Sequence, residues 1–173
     1  MKDFIIDVLR EYNIGENEEM AHVRNAIMID SIFMAPKMRS VDKEEVYASN
    51  AQKPLAALLS AFDVKGSRNY SVIGTEEEYI VGMFGSVPTD LEGWGCAWLL
   101  ASEELFKYKR EFIKQSPQWI AEMGKGYTHL FNYVDVRNQK SIIWLKHLGF
   151  KKQETINEYG HLKMPFILMV KEM

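Results

Sequence analysis

The sequence predicts a mixed α/β domain behind an N-terminal helical extension. Apolar side chains in the first 33 residues recur at helical spacing, as Phe4, Ile5, Val8, Leu9 and Tyr12 do. The segment NYSVIGTEEEYIVGMFGSV (69–87) has the pattern of two strands around a turn. The segment GWGCAWLLAS (93–102) is apolar on both parities, which suits a central strand packed on both faces. A chain of 173 residues is long enough to bury one sizeable core.

Taken in order, a first helix ends before the break at Asn13 to Glu19, and a second is expected from Met20 to Phe33, with Val23, Ile27, Ile29, Ile32 and Phe33 on its apolar side. Asp42 and Glu45, three apart, have the spacing of a capping box. Pro54 marks a break or a fresh first turn, with Leu55 to Phe62 as the following helix. Two strands then meet around Gly74 to Glu77, and GWGCAWLLAS follows. A helix is expected from Ser102 to at least Gln115, with Ser116-Pro117 either a kink or the start of a second short helix. THLFNYVDV (128–136) reads as a strand; Asn138 is an N-cap, QKSIIWLKHLG a helix, and Gly149 its left-handed terminator. Strands near Lys151 to Tyr159 and His161 to Lys171 close the chain around Gly160, with Pro165 demanding an edge or a bulge.

The net charge of -3 gives no reason to expect a nucleic-acid partner. The bases Arg137, Lys140, Lys146, Lys151 and Lys152 cluster, but Lys140 and Lys146 do not share a helical stripe. Cys96, the only cysteine, leaves no internal disulfide and fits a reducing compartment. The spacing of the four histidines indicates no metal site. The acids in the first apolar stretch are unlike a signal peptide, and no apolar run is long enough to span a membrane.

Asn138, Ser141, Ile142, Trp144 and Leu148-Gly149-Phe150 together resemble the closing motif of the GNAT (Gcn5-related N-acetyltransferase) superfamily. The element order matches from about Pro36 onward. The resemblance implies a helical extension over residues 1–35 and a GNAT-like domain over 36–173, a twisted mixed β-sheet with helices on both faces. MFGSVPTDLEGWGCAWLLAS (83–102) and LFNYVDVRNQKSIIWLKHLGF (130–150) carry a narrower resemblance, over roughly Lys37 to Tyr159. They look like a GNAT-like family of short-tailed bacteriophages whose members are internal virion or assembly-associated proteins. This implies a phage protein of the bacterial host cytoplasm and the virion, working through contacts with a phage or host protein or with itself.

Against the enzymatic members of the superfamily the sequence departs at the cofactor site. Their pyrophosphate cradle needs glycines where the fourth strand enters a helix, because the backbone must approach the phosphates closely. Here the junction is LLASEELFKYKRE, with no glycine between Ala97 and Met123 and with Glu103 and Glu104 in the first turn. The tyrosine that the family uses as general acid falls on Leu145; Tyr127, Tyr133 and Tyr159 are the phenols left to replace it. No catalytic residue is assigned and no cofactor is expected. The main expectation is a degenerate transferase acting by protein contacts. The alternatives are an acetyl-CoA-dependent N-acetyltransferase acting on a host or phage amine, with Ser102 and Asn138 near the cofactor, and a host-directed inhibitor. Asp135 and Arg137 are the candidate pocket edge; Phe4, Ile5, Val8, Leu9 and Tyr12 are the candidate interface.

Overall fold

The computed structural model describes residues 21–74 and 79–173. Seven strands, β1 (His22–Asn25), β2 (Arg68–Ile73), β3 (Ile80–Pro88), β4 (Trp94–Ala101), β5 (His129–Asp135), β6 (Lys151–Tyr159) and β7 (Met164–Glu172), form one sheet. Their order is β1-β2-β3-β4-β5-β7-β6. Every neighbouring pair is antiparallel except β4 and β5, which are parallel.

Five α-helices cover this sheet among the described residues: α1 (Asp30–Met34), α2 (Ser40–Asn50), α3 (Pro54–Asp63), α4 (Lys109–Gly124) and α5 (Gln139–His147). The first three bring Met34, Val46 and Leu58 onto Ile73, Met83 and Leu100. The last two bring Phe112, Ile120, Ile142 and Leu145 onto Val72, Ala97, Ala101 and Leu130. The unbroken apolar run of β4 follows from serving both cores. Trp98 and Leu100 face the first; Ala97, Leu99 and Ala101 face the second.

Local signals placed most boundaries. Pro54 stands in the first turn of α3. A 3-10 turn over Glu103–Tyr108 leads into α4, which runs as one helix through Pro117. Asn138 caps α5, its Oδ1 accepting from the Ser141 N–H at 3.4 Å. At the other end Gly149 has φ +87°. The Gly149 and Phe150 N–H groups bond the Lys146 and Leu145 carbonyls, each at 3.0 Å, the paired closure of a Schellman motif. Pro165 is in β7, an interior strand, where the β6 register slips between Ile156 and Tyr159. The bulge spares it a ladder partner.

Two expectations need correction. The helix expected from Met20 to Phe33 is instead strand β1, a short link and the one-turn α1. His22–Asn25 pairs along the open edge of β2, so backbone pairing overrides the helical spacing. Asp42 and Glu45 form no capping box: α2 begins at Ser40, and Arg39 at its N-cap makes no side-chain cap bond. Phe4, Ile5, Val8, Leu9 and Tyr12 lie outside the described residues, as does the acidic run Glu76-Glu77-Glu78, which the sequence places at the turn expected after Gly74.

Candidate functional site

The parallel pair β4 and β5 forks. It is in register only at Trp94↔His129, Gly95↔Leu130 and Cys96↔Phe131. Beyond these pairs the strands part, each held by its other neighbour, β3 or β7. Asn132 Nδ2 donates to the Ala97 carbonyl at 2.7 Å and bridges the base of the fork. Glu45, Ala97, Asn132, Ser141, Trp144 and Leu145 are among the residues lining a cavity there of about 20 Å³. That is room for roughly one water molecule.

Higher in the fork the space is filled by side chains of α2. Asp42 Oδ2 accepts the Ala101 N–H at 3.0 Å, at the tip of β4. Glu45 Oε2 accepts the Asp135 N–H at 3.1 Å, at the tip of β5. The three-residue spacing sets both carboxylates on one helix face, so one helix holds both tips. Arg39 forks onto Asp42, with Nε at 2.9 Å from Oδ2 and Nη2 at 2.7 Å from Oδ1. Asn138 Nδ2 donates to Asp42 Oδ1 at 3.2 Å and to Glu45 Oε2 at 3.0 Å. Arg39, Asp42 and Asn138 are all buried. The network joins α2, on one face of the sheet, to the start of α5 on the other, through the gap in the sheet.

Burial pushes the Glu45 carboxyl up to about 7, helped by the nearby charges of Asp42 and Asp135 and opposed by the bonds from Asn138 and the Asp135 N–H. It is therefore divided between its acid and its carboxylate near neutrality. Burial also pushes the Cys96 thiol up to about 11, which keeps it protonated and a poor nucleophile.

Asp135 and Arg137 form an ion pair at the tip of β5, Nη2 to Oδ2 at 2.6 Å, and Arg137 Nη1 also reaches Glu44 at 3.2 Å. Neither lines the cavity. Ser102 donates its hydroxyl to the Val81 carbonyl at 3.0 Å, and its N–H reaches the same oxygen at 2.9 Å. Asn138 is held by its cap and by the two carboxylates. Leu145, at the place of the family's tyrosine, is buried and lines the cavity. Tyr127, Tyr133 and Tyr159 are not among the lining residues. Tyr133 and Tyr159 stack on one another at 4.6 Å, and burial pushes the Tyr159 phenol up to about 12.

As they stand, the tips of β4 and β5 are closed by Asp42 and Glu45. The junction after β4 holds Glu103 and Glu104 in a 3-10 turn, and Phe106 lies under the Lys140 ammonium at 4.0 Å and the Arg39 guanidinium at 5.5 Å. Among the described residues no group of three or more His, Cys, Asp or Glu is placed to hold a metal ion. No described helix is long and apolar enough to cross a membrane. Sequence reasoning missed Arg39, Asp42 and Glu45 as parts of the fork. The three-residue spacing of Asp42 and Glu45 is the visible signal, and it fits a helix cap equally well.

No protein-family model and no curated protein matches the sequence. Solved structures do match its fold. A ribosomal-protein-S5-alanine acetyltransferase from Vibrio fischeri is 18% identical with a TM-score of 0.64, over 92% of this chain and 97% of that one. A GCN5-related N-acetyltransferase from Kribbella flavida is 16% identical with a TM-score of 0.64, over 88% of this chain and 98% of that one. A spermidine N-acetyltransferase from Vibrio cholerae, solved in complex with CoA and spermine, is 11% identical with a TM-score of 0.64, over 88% of this chain and 95% of that one. The chain has the GNAT fold, with a mixed seven-stranded sheet and helices on both faces.

Proposed function

We propose that this chain uses the GNAT fold as a protein-binding scaffold rather than as an acetyl-CoA-dependent transferase. The observation that carries the reading is the closed fork: Arg39, Asp42, Glu45 and Asn138 occupy the gap between β4 and β5 and engage the backbone N–H groups at both tips. Opening that gap would break the bonds that the Ala101 and Asp135 N–H groups and the Asn138 amide make to these carboxylates, and hydrogen bonds to charged groups contribute about 1.5–3 kcal/mol each. The narrower sequence resemblance supports a role in a phage virion or its assembly. Calorimetric titration with acetyl-CoA tests the reading. No heat of binding is expected at micromolar concentrations, and a Kd of about 1 μM or below would overturn it.

A second reading is an acetyl-CoA-dependent N-acetyltransferase acting on an amine. The likeness to solved acetyltransferases favours it over a purely structural role. So does Glu45, a carboxyl that titrates at about 7 beside the fork and is suited to accept a proton from an ammonium substrate. Turnover of acetyl-CoA with polyamine or peptide amines, abolished by Glu45→Gln, would establish it.

A further inference from the structure

Residues 27–33 carry their amphipathicity inside out. Asp30 and Ser31 are buried at 3% and 0% exposure, while Ile27, Met28, Ile29, Ile32 and Phe33 are each more than half exposed, at 51–60%. Asp30 enforces the inversion. Its carboxylate takes the Arg24 guanidinium at 2.7 and 2.8 Å, the Ser71 hydroxyl at 2.7 Å and the Ile27 N–H at 3.0 Å. With that acid fixed against β2 and Met34 buried behind it, the five large apolar side chains of this segment point outward.

We infer that this surface is the centre of a symmetric interface between two copies of this chain. Side chains of this size, half exposed, present on the order of 100 Å² each, or roughly 500 Å² together. That is most of the roughly 800 Å² per partner that a standard interface buries, supplied by apolar side chains alone. The patch also suits self-pairing electrostatically. From Asn25 to Pro36 the only ionisable side chain is Asp30, buried and paired, so a two-fold contact sets no like charges of this segment against each other. The strand β1, at the edge of the sheet among the described residues, leads directly into the patch. The inference goes beyond the scaffold reading and holds whether or not the fork admits a cofactor.

Sedimentation equilibrium of the full chain, with Ile32→Asp and Phe33→Asp variants beside it, tests the interface. The wild type is expected to dimerise below about 100 μM. Each variant is expected to raise the dimer Kd about 30-fold or more, as loss of an interface hot spot does, with its melting temperature at high dilution unchanged. A wild type that stays monomeric at that concentration overturns the inference, because the surface then serves another partner. Variants that dimerise like the wild type overturn it as well. Variants whose dilute monomer melts at a clearly lower temperature also overturn it, since the patch would then be covered within the chain.

Discussion

Arg39 and Asp42 lie in the gap with side-chain exposures of 4% and 1%, so either one alone would be a buried charge without its counter-ion. Asp42→Ala or Arg39→Met is expected to cost about 3–5 kcal/mol in urea unfolding. The double variant should cost less than the sum, with the shortfall measuring the coupling. Purely additive losses would mean that the two side chains do not depend on each other. Glu45 gives a separate pH signature. Its value in the fold, about 7, lies above the ordinary 4.5. The protonated form therefore belongs with the folded state. The contribution is full below about pH 4.5 and is lost as the pH rises through about 7. Stability is expected to fall over that window by on the order of 3 kcal/mol. Glu45→Gln, which keeps an acceptor for Asn138 and the Asp135 N–H, should flatten the profile. Asp30 does not blur the reading: burial raises its carboxyl, but the bonds from Arg24, Ser71 and Ile27 outweigh that and hold it below 3.8. Its stabilisation is lost at lower pH, as the pH falls through that depressed value.

Helix α5 is bounded by two positions that act on different links of the chain from sequence to fold. Asn138→Ala removes a cap worth about 0.5–2 kcal/mol, and also the amide that bridges Asp42 and Glu45, so its loss should reach or exceed the upper end. Gly149→Val forces a β-branched residue into φ +87° and sets a Cβ 2.9 Å from Lys171 Nζ, so a loss of about 1–3 kcal/mol is expected. Denaturant midpoints for both variants check this, and an unchanged midpoint at either position would refute its assigned role. Both positions were legible in the sequence because a cap and a left-handed terminator are local chemistry. The stretch from His22 to Met34 was not. Its apolar spacing fits a helix, and only the open edge of β2 and the seating of Asp30 against Ser71 of that strand, both dependent on distant residues, turn it into a strand with an outward apolar face. The fork was half legible: the missing glycines after β4 were plain, whereas the carboxylates that bind the strand tips have the spacing of a helix cap.

Across the whole molecule, the sheet consists of two ladders joined at a narrow seam. Strands β1 to β4 form one antiparallel block, β5, β7 and β6 another, and the parallel register that joins them is three residues long. The seam is reinforced by α2, which reaches the tip of β4 through Asp42 and the tip of β5 through Glu45. The hairpin between β6 and β7 returns to the same helix, with the His161 and Leu162 N–H groups bonded to the Ser49 and Ala48 carbonyls at 3.0 Å each. One helix thus clamps both blocks, and the fork stays shut only while the clamp holds. Native-state hydrogen exchange reads this amide by amide. In the wild type the Ala101 and Asp135 N–H groups should exchange nearly as slowly as the interior of β3 and β7. In Asp42→Ala the Ala101 N–H should lose most of that protection, and in Glu45→Ala the Asp135 N–H should. The β3 and β7 amides should fall only by the global destabilisation. Fast exchange of Ala101 and Asp135 in the wild type would mean that the fork opens readily, and the transferase reading would then displace the scaffold one.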